Sequence, residues 1–186
     1  NPYDSVVQGR LLRALVASGD DDAVRAHLES TLARRPGDVD AQVNAGVLAR
    51  RQGRGVDAER HWIAALALDP RLTLVQLYLA ELLDEQGRAA DAARHYRAYL
   101  EQVVASTSGR QPDPATIVPV VLKFGDALAR SGQPAAARTQ FELAAAVAKR
   151  TGLADLETAA FVDAQGRQVG THQCGPITHG AALQCG

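Results

Sequence analysis

Apolar residues recur along most of the chain at intervals of three and four, which places them on one face of an α-helix. Val43 and Val47 follow this spacing before Gly53, and Trp62 and Ala65 follow it afterwards. Glycine ends a helix readily because it lacks the side chain that restricts the backbone. The pattern therefore predicts an all-α chain in which glycine turns separate successive helices.

The same residue types return every 34 residues, a period typical of stacked helix–turn–helix units. One helix pair cannot bury its apolar face, so about three pairs must stack to form a stable array. The repeating positions are Gly19, Gly53 and Gly87; Leu28, Trp62 and Tyr96; and Pro36 and Pro70.

The unit at residues 39–72 resembles the tetratricopeptide family. It carries the small residues, turn glycine, aromatic residue and closing proline of that family, although Gln42 and Ala49 replace the usual Trp and Tyr of the first helix. The resemblance implies an all-α, right-handed α-solenoid with an irregular C-terminal tail. The matching residues are Gly46, Gly53, Ala58, Trp62, Ala65 and Pro70.

Four units and one insertion account for residues 5–151. The insertion contains Ser108-Gly109 and Pro112-Asp113-Pro114, which are signals that break helices. The predicted units are residues 5–38, 39–72, 73–106 and 118–151, and the predicted inserted loop is residues 107–117.

Local signals within the units predict turns, caps and close helix packing. We expect Gly53, Gly87 and Gly132 to adopt a positive φ. The acidic residues after each turn are expected to cap the second helix; they are Asp20–Asp22, Asp57 and Asp91. Small residues are expected where helices come closest, with Trp62, Tyr96 and Phe141 filling the spaces between them. These small residues are Gly46, Ala58, Ala80, Ala92, Gly125 and Ala137.

Composition and charge narrow the function. The formal net charge is −1, without the basic excess that a nucleic-acid partner requires. No apolar run approaches the roughly 20 residues needed to span a bilayer. The chain lacks phosphate-binding, nucleophile-elbow and metalloprotease motifs, so no enzymatic activity and no cofactor are predicted. An Arg-rich, Lys-poor composition favours a bacterial source, and the absence of Met indicates a processed protein or a fragment.

The resemblance implies that the first helices line a groove that binds a peptide or a partner subunit. Arg50 and Arg51 make the first half of this groove basic, whereas Glu81 and Glu85 make the third unit acidic, so charge would orient the ligand. Asn44 is expected to bond the ligand backbone, but the carboxylate clamp of some family members is missing. The implied groove residues are Arg10, Arg13, Asn44, Val47, Arg51, Tyr78, Glu81, Glu85, Lys123, Asp126 and Arg130.

Histidines recur with the repeat, at His27, His61 and His95. Neighbouring helices lie about 8–10 Å apart, whereas ligands of one zinc each lie about 2 Å from the metal. This column is therefore interpreted as a repeated residue on an outer helix face and not as a metal site.

Residues 152–186 depart from the repeat pattern, and residues 153–160 are expected to form a capping helix before an irregular tail. Three interpretations of the tail remain open. Cys174 and Cys185 form a disulfide, which would indicate an oxidising compartment; or His172, Cys174, His179 and Cys185 bind zinc; or both thiols are inert.

The sequence thus predicts a non-catalytic scaffold for protein–protein interaction, an accessory or assembly subunit of a bacterial multiprotein complex. Its partner is another protein or peptide, and the cell envelope is favoured over the cytoplasm. One alternative is a structural subunit that self-assembles end to end or through its C-terminal tail. A second alternative is a metal-binding protein that uses the tail.

Overall fold

A computed structural model describes residues 16–106 and 112–151. These ranges contain helices and turns but no strand, which confirms the predicted all-α fold. The helices are α1 (Asp21–Arg34), α2 (Val39–Arg51), α3 (Gly55–Leu68), α4 (Thr73–Glu85), α5 (Ala89–Ser106), α6 (Pro114–Arg130) and α7 (Pro134–Thr151).

The chain divides into two compact units, Asn1–Leu82 and Leu83–Gly186, and the division falls within α4. In the first unit α1 packs on α2, and α2 packs on α3. In the second unit α5 packs on α6, and α6 packs on α7. Each unit therefore has its own set of packed helix neighbours.

The turns within helix pairs depend on glycine, as predicted. Gly53, Gly87 and Gly132 have φ values of +73°, +75° and +82°, and Gly19 also has a φ of +73°. The N–H of Arg54 bonds back to the carbonyl of the α2 residue Ala49 at 2.8 Å, which closes the turn around Gly53. A Cβ built on each of these glycines would meet no atom within 4 Å, so crowding does not exclude a side chain. The positive φ is therefore the reason that these positions need glycine.

The predicted caps are correct only in part. Asp20 accepts a hydrogen bond from a backbone N–H in the first turn of α1, as expected. Asp57 and Asp91 instead lie inside the first turns of α3 and α5. Each carboxylate accepts from the arginine that precedes its helix, Arg54 at 2.9 Å and Arg88 at 2.9 Å. Each carboxylate therefore accepts from an arginine three residues earlier, and not from the backbone amides that a capping residue would bond.

The insertion lengthens two helices. α5 has 18 residues against 14 in α3, and α6 has 17 against 13 in α4. The prediction of a loop as far as residue 117 is wrong, because α6 already begins at Pro114. Proline suits the first position of a helix, and Asp113 caps α6 by accepting from a backbone N–H. Each extension adds about one helical turn.

Two helical glycines leave room for large aromatic rings of the core. A Cβ on Gly46 would lie 2.8 Å from Cε2 of Trp62 and closer still to other indole atoms. A Cβ on Gly125 would lie 2.6–3.0 Å from the ring of Phe141. Both rings are buried, as is Tyr96. The predicted close approach at Gly46 and Gly125 is therefore confirmed.

Candidate functional site

A surface hollow of about 380 Å³ lies in the first unit, and we call it the α2–α4 hollow. Its lining side chains come from α2, α3 and α4 and share one surface of the first unit. They are Val47, Arg50, Arg51, Trp62 and Tyr78.

The floor of the α2–α4 hollow is aromatic and held in place. The rings of Trp62 and Tyr78 have centroids 5.4 Å apart and are tilted by 33°. Nε1 of Trp62 donates to the carbonyl of Val43 at 3.2 Å, so the indole satisfies its only polar group within the protein. Val47 is 43% exposed. Trp62 is only 1% exposed, so the apolar surface that the hollow offers to a ligand comes from Val47 and Tyr78, and the Trp62 ring supports it from within.

Ion pairs occupy the charged rim of the α2–α4 hollow. Arg50 donates to Glu81 at 3.3 Å. Arg51 pairs with Asp21, at the start of α1. The sequence predicted a basic first half and an acidic third unit, but Arg50 of α2 and Glu81 of α4 pair with each other. Charge alone is therefore a weaker source of ligand orientation than expected.

Asn44 bonds its own helix. Its Nδ2 donates to the carbonyl of Asp40 at 2.7 Å, one turn earlier in α2. Asn44 is partly buried and does not line the α2–α4 hollow. The proposed bond from Asn44 to a ligand backbone would compete with this internal bond.

Arg130 is the centre of a charged cluster in the second unit. It donates to Asp126 at 2.8 Å and pairs with Asp84. Burial alone would lower the pKa of Arg130, but the hydrogen bonds to Asp84 and Asp126 outweigh burial and raise it. Glu85 and Lys123 are exposed in this unit.

The structure brings together only part of the predicted groove set. Val47, Arg51 and Tyr78 share the α2–α4 hollow, and Glu81 reaches its rim through the ion pair with Arg50. Trp62 was expected only to fill the core, yet it also forms the floor. The remaining predicted groove residues are not among those that line this hollow: Glu85, Lys123, Asp126 and Arg130 belong to the second unit, and Arg10 and Arg13 lie outside the described residues.

His61 does not lie on an outer helix face, contrary to the prediction. Its Nδ1 is 2.8 Å from Oε1 of Gln42 on α2. Nε2 of Gln42 donates to the carbonyl of Pro36 at 3.1 Å, so Oε1 accepts a hydrogen bond from His61. Gln42 stands where the tetratricopeptide pattern has Trp, and this departure was the sequence signal for a polar contact at this position.

Burial lowers the pKa of His61, and so does the nearby charge of Arg60, while Asp57 opposes these effects. Burial, followed by the charge of Arg34, also lowers the pKa of His27. Both imidazoles are therefore neutral near pH 7. His61 keeps Nδ1–H as a donor to Gln42 in this state.

Within residues 16–106 and 112–151, no three His, Cys, Asp or Glu side chains come close enough to hold a metal ion. The candidate zinc ligands His172, Cys174, His179 and Cys185 lie outside the described residues, as does the predicted disulfide between the two cysteines. None of the described helices is both long and apolar enough to cross a membrane.

No family model and no curated protein match the sequence. Solved structures do share the fold. The MamA protein superposes with a TM-score of 0.63 at 14% identity, over 82% of this chain and 77% of that one. PilW, a type IV pilus biogenesis factor, gives 0.56 at 16% identity, over 85% and 74%. A Podosopora anserina putative kinesin light chain with nearly identical TPR-like repeats gives 0.60 at 16% identity, over 81% and 78%.

These likenesses agree with the packed helix pairs described above. At such low sequence identity they concern the fold alone. The chain has the fold of a tetratricopeptide-repeat solenoid.

Proposed function

We propose that this protein is a non-catalytic scaffold that binds a segment of another protein, with an apolar side chain of that segment seated in the α2–α4 hollow. The observation that carries the proposal is the apolar surface of Tyr78 and Val47, with Tyr78 packed against the buried ring of Trp62. A hollow of about 380 Å³ is large enough for such an anchor.

The chemistry of the rim favours an apolar anchor over a purely electrostatic one. Arg50 and Arg51 each have a carboxylate partner, so the rim adds little net charge. A guanidinium carries five N–H donors, which allows it to bond a peptide carbonyl beside a carboxylate. The arginines would thus fix the ligand backbone, while burial of the anchor against Val47 and Tyr78 supplies most of the affinity.

Trp62 provides a direct test because it is the only tryptophan in the chain. Peptides of random sequence are selected by display on the full-length protein, and each selected peptide is titrated while the Trp62 emission is followed. We expect selected peptides to share an apolar or aromatic residue and to change this emission. Val47→Glu should weaken their binding about tenfold or more, since it places a charge in the apolar hollow.

Val56→Glu is the matched control. Val56 is 80% exposed on α3 and does not line the hollow, so its substitution should leave binding unchanged. Peptides that bind equally to wild type and Val47→Glu, without changing the Trp62 emission, would contradict the proposed site.

We further propose that the partner is a subunit of a bacterial envelope complex, located in the periplasm or at the cell surface. The fold shared with a type IV pilus biogenesis factor supports this assignment. Fractionation of the native cell with a specific antibody tests it, and recovery of the protein in the cytoplasmic fraction alone would overturn it. Thiol labelling of Cys174 and Cys185 with and without reductant tests the disulfide in the same samples.

A further inference from the structure

A second hollow, of about 360 Å³, lies in the first unit between α1 and α3, and we call it the α1–α3 hollow. It uses a different face of α2, because Ala45 and Leu48 line it, whereas Val47 and Arg50 line the α2–α4 hollow. Its floor is the edge of a core cluster. The floor residues are Leu28, Leu32, Ala45 and Leu48.

Basic side chains surround this apolar floor. Arg25, Arg54 and Arg60 line the α1–α3 hollow, against the single carboxylate of Glu29. The guanidiniums pair with Asp22 and Asp57, which do not line the hollow. Exposed ion pairs of this kind contribute about 0–1 kcal/mol, so a ligand carboxylate can replace them. The hollow therefore suits an apolar segment that carries acidic residues.

The chain itself contains such a segment. Residues 153–163 read Leu-Ala-Asp-Leu-Glu-Thr-Ala-Ala-Phe-Val-Asp, with three carboxylates and no basic residue. Its large apolar residues are Leu153, Leu156, Phe161 and Val162, and its carboxylates are Asp155, Glu157 and Asp163. The segment complements the α1–α3 hollow in both polarity and charge.

We propose that the α1–α3 hollow of one copy binds residues 153–163 of a second copy. The segment follows α7 in the chain, and its carboxylates complement the arginines that line the hollow. This contact is independent of the α2–α4 hollow, and either proposal can fail alone.

The test uses full-length protein and measures molecular mass by light scattering and sedimentation over a range of concentrations. Wild type should associate as concentration rises. Arg60→Glu in the hollow and Glu157→Lys in the segment should each weaken self-association about tenfold or more. The side chain of Arg60 is 70% exposed, so the fold should persist, and circular dichroism verifies this. Arg71→Glu is the control, because Arg71 is 90% exposed away from the hollow.

Mixing the two weakened variants distinguishes one copy from two. A chain with the altered hollow still carries an intact segment, and the other variant still carries an intact hollow. The mixture should therefore associate more strongly than either variant does alone. A chain that stays monomeric at every concentration, or a mixture that stays monomeric, would overturn the proposal.

A photo-crosslinker at Leu156 locates the segment in the same samples. Mixed light and heavy isotope-labelled copies should give crosslinks between differently labelled chains, at α1 residues such as Leu32. Crosslinks confined to α7 of the same copy would show that the segment caps its own helix array, and would equally overturn the proposal.

Discussion

The first unit seats an indole against Gly46, whereas the second seats a phenyl ring against Gly125. Trp62 is additionally held by its bond to the Val43 carbonyl and by contact with Tyr78. Phe141 has no polar group to anchor. The same packing of an aromatic ring against a glycine therefore serves two purposes. In the second unit the ring fills the core, while in the first it also forms the floor of a surface hollow.

The largest expected effect comes from removing either ring. Trp62→Ala and Phe141→Ala should each lower the free energy of unfolding by about 3–5 kcal/mol, since each leaves a large buried cavity. Urea denaturation followed by circular dichroism measures the loss, and hydrogen exchange shows which helices open. Increased exchange confined to α2 and α3 for the first variant, and to α6 and α7 for the second, would show that the units respond separately. Equal increases in all helices would remove that distinction.

Adding a methyl group to each glycine gives the next largest effect. Alanine gains up to about 1 kcal/mol over glycine in a helix, but overpacking a core costs about 1–3 kcal/mol. Gly46→Ala and Gly125→Ala should both destabilise, and Gly46→Ala should do so more, because the indole is bonded to Val43 and moves less easily. Thermal and urea unfolding test this order. A stabilised Gly46→Ala would mean that Trp62 shifts without cost.

The turn glycines should show smaller and equal effects. Gly53 and Gly132 have positive φ but no neighbour near an added Cβ, so backbone strain alone decides the outcome. Gly53→Ala and Gly132→Ala should each lose about 1 kcal/mol. The matched Asn variants should lose less, since Asn tolerates this conformation. Unequal losses in the two units would indicate that the turns differ in a way their geometry does not show.

The smallest expected effect is the pH dependence of the first unit. His61 has a lowered pKa in the folded protein, so its contribution is fully present above the unfolded pKa of about 6.5. This stability is lost as pH falls from there through the lower folded pKa. His61→Gln should therefore lose less stability than wild type between pH 7.5 and 5. Melting temperatures of both proteins, measured at both pH values, test this; identical pH dependence would contradict it.

Much of the fold was predictable because a residue type that recurs at the same position of each repeat indicates the backbone geometry at that position. A glycine every 34 residues marks a positive φ, and a small residue opposite an aromatic one marks a close helix approach. Such features are local or depend on regular helix packing. The sequence pattern therefore predicted the turns at Gly53 and Gly132 and the contact between Gly46 and Trp62.

The charged residues of the candidate site were less predictable. Arg50 and Glu81 are 31 positions apart, and nothing in either helix alone indicates that they meet. Asp57 satisfies the sequence rule for a cap, but the nearby Arg54 binds it instead. Long flexible side chains can pair with any opposite charge within their reach. Their contacts therefore depend on the folded surface and not on the spacing of residues in the sequence.

The bond between Gln42 and His61 has a consequence for redesign of this repeat. A design based on the tetratricopeptide consensus would place Trp at position 42 and would treat the change as an improvement. That change would remove the acceptor that orients His61, which lines the α1–α3 hollow. Averaging the sequence towards the repeat consensus would thus remove the hydrogen bond that joins α2 to α3 at this position.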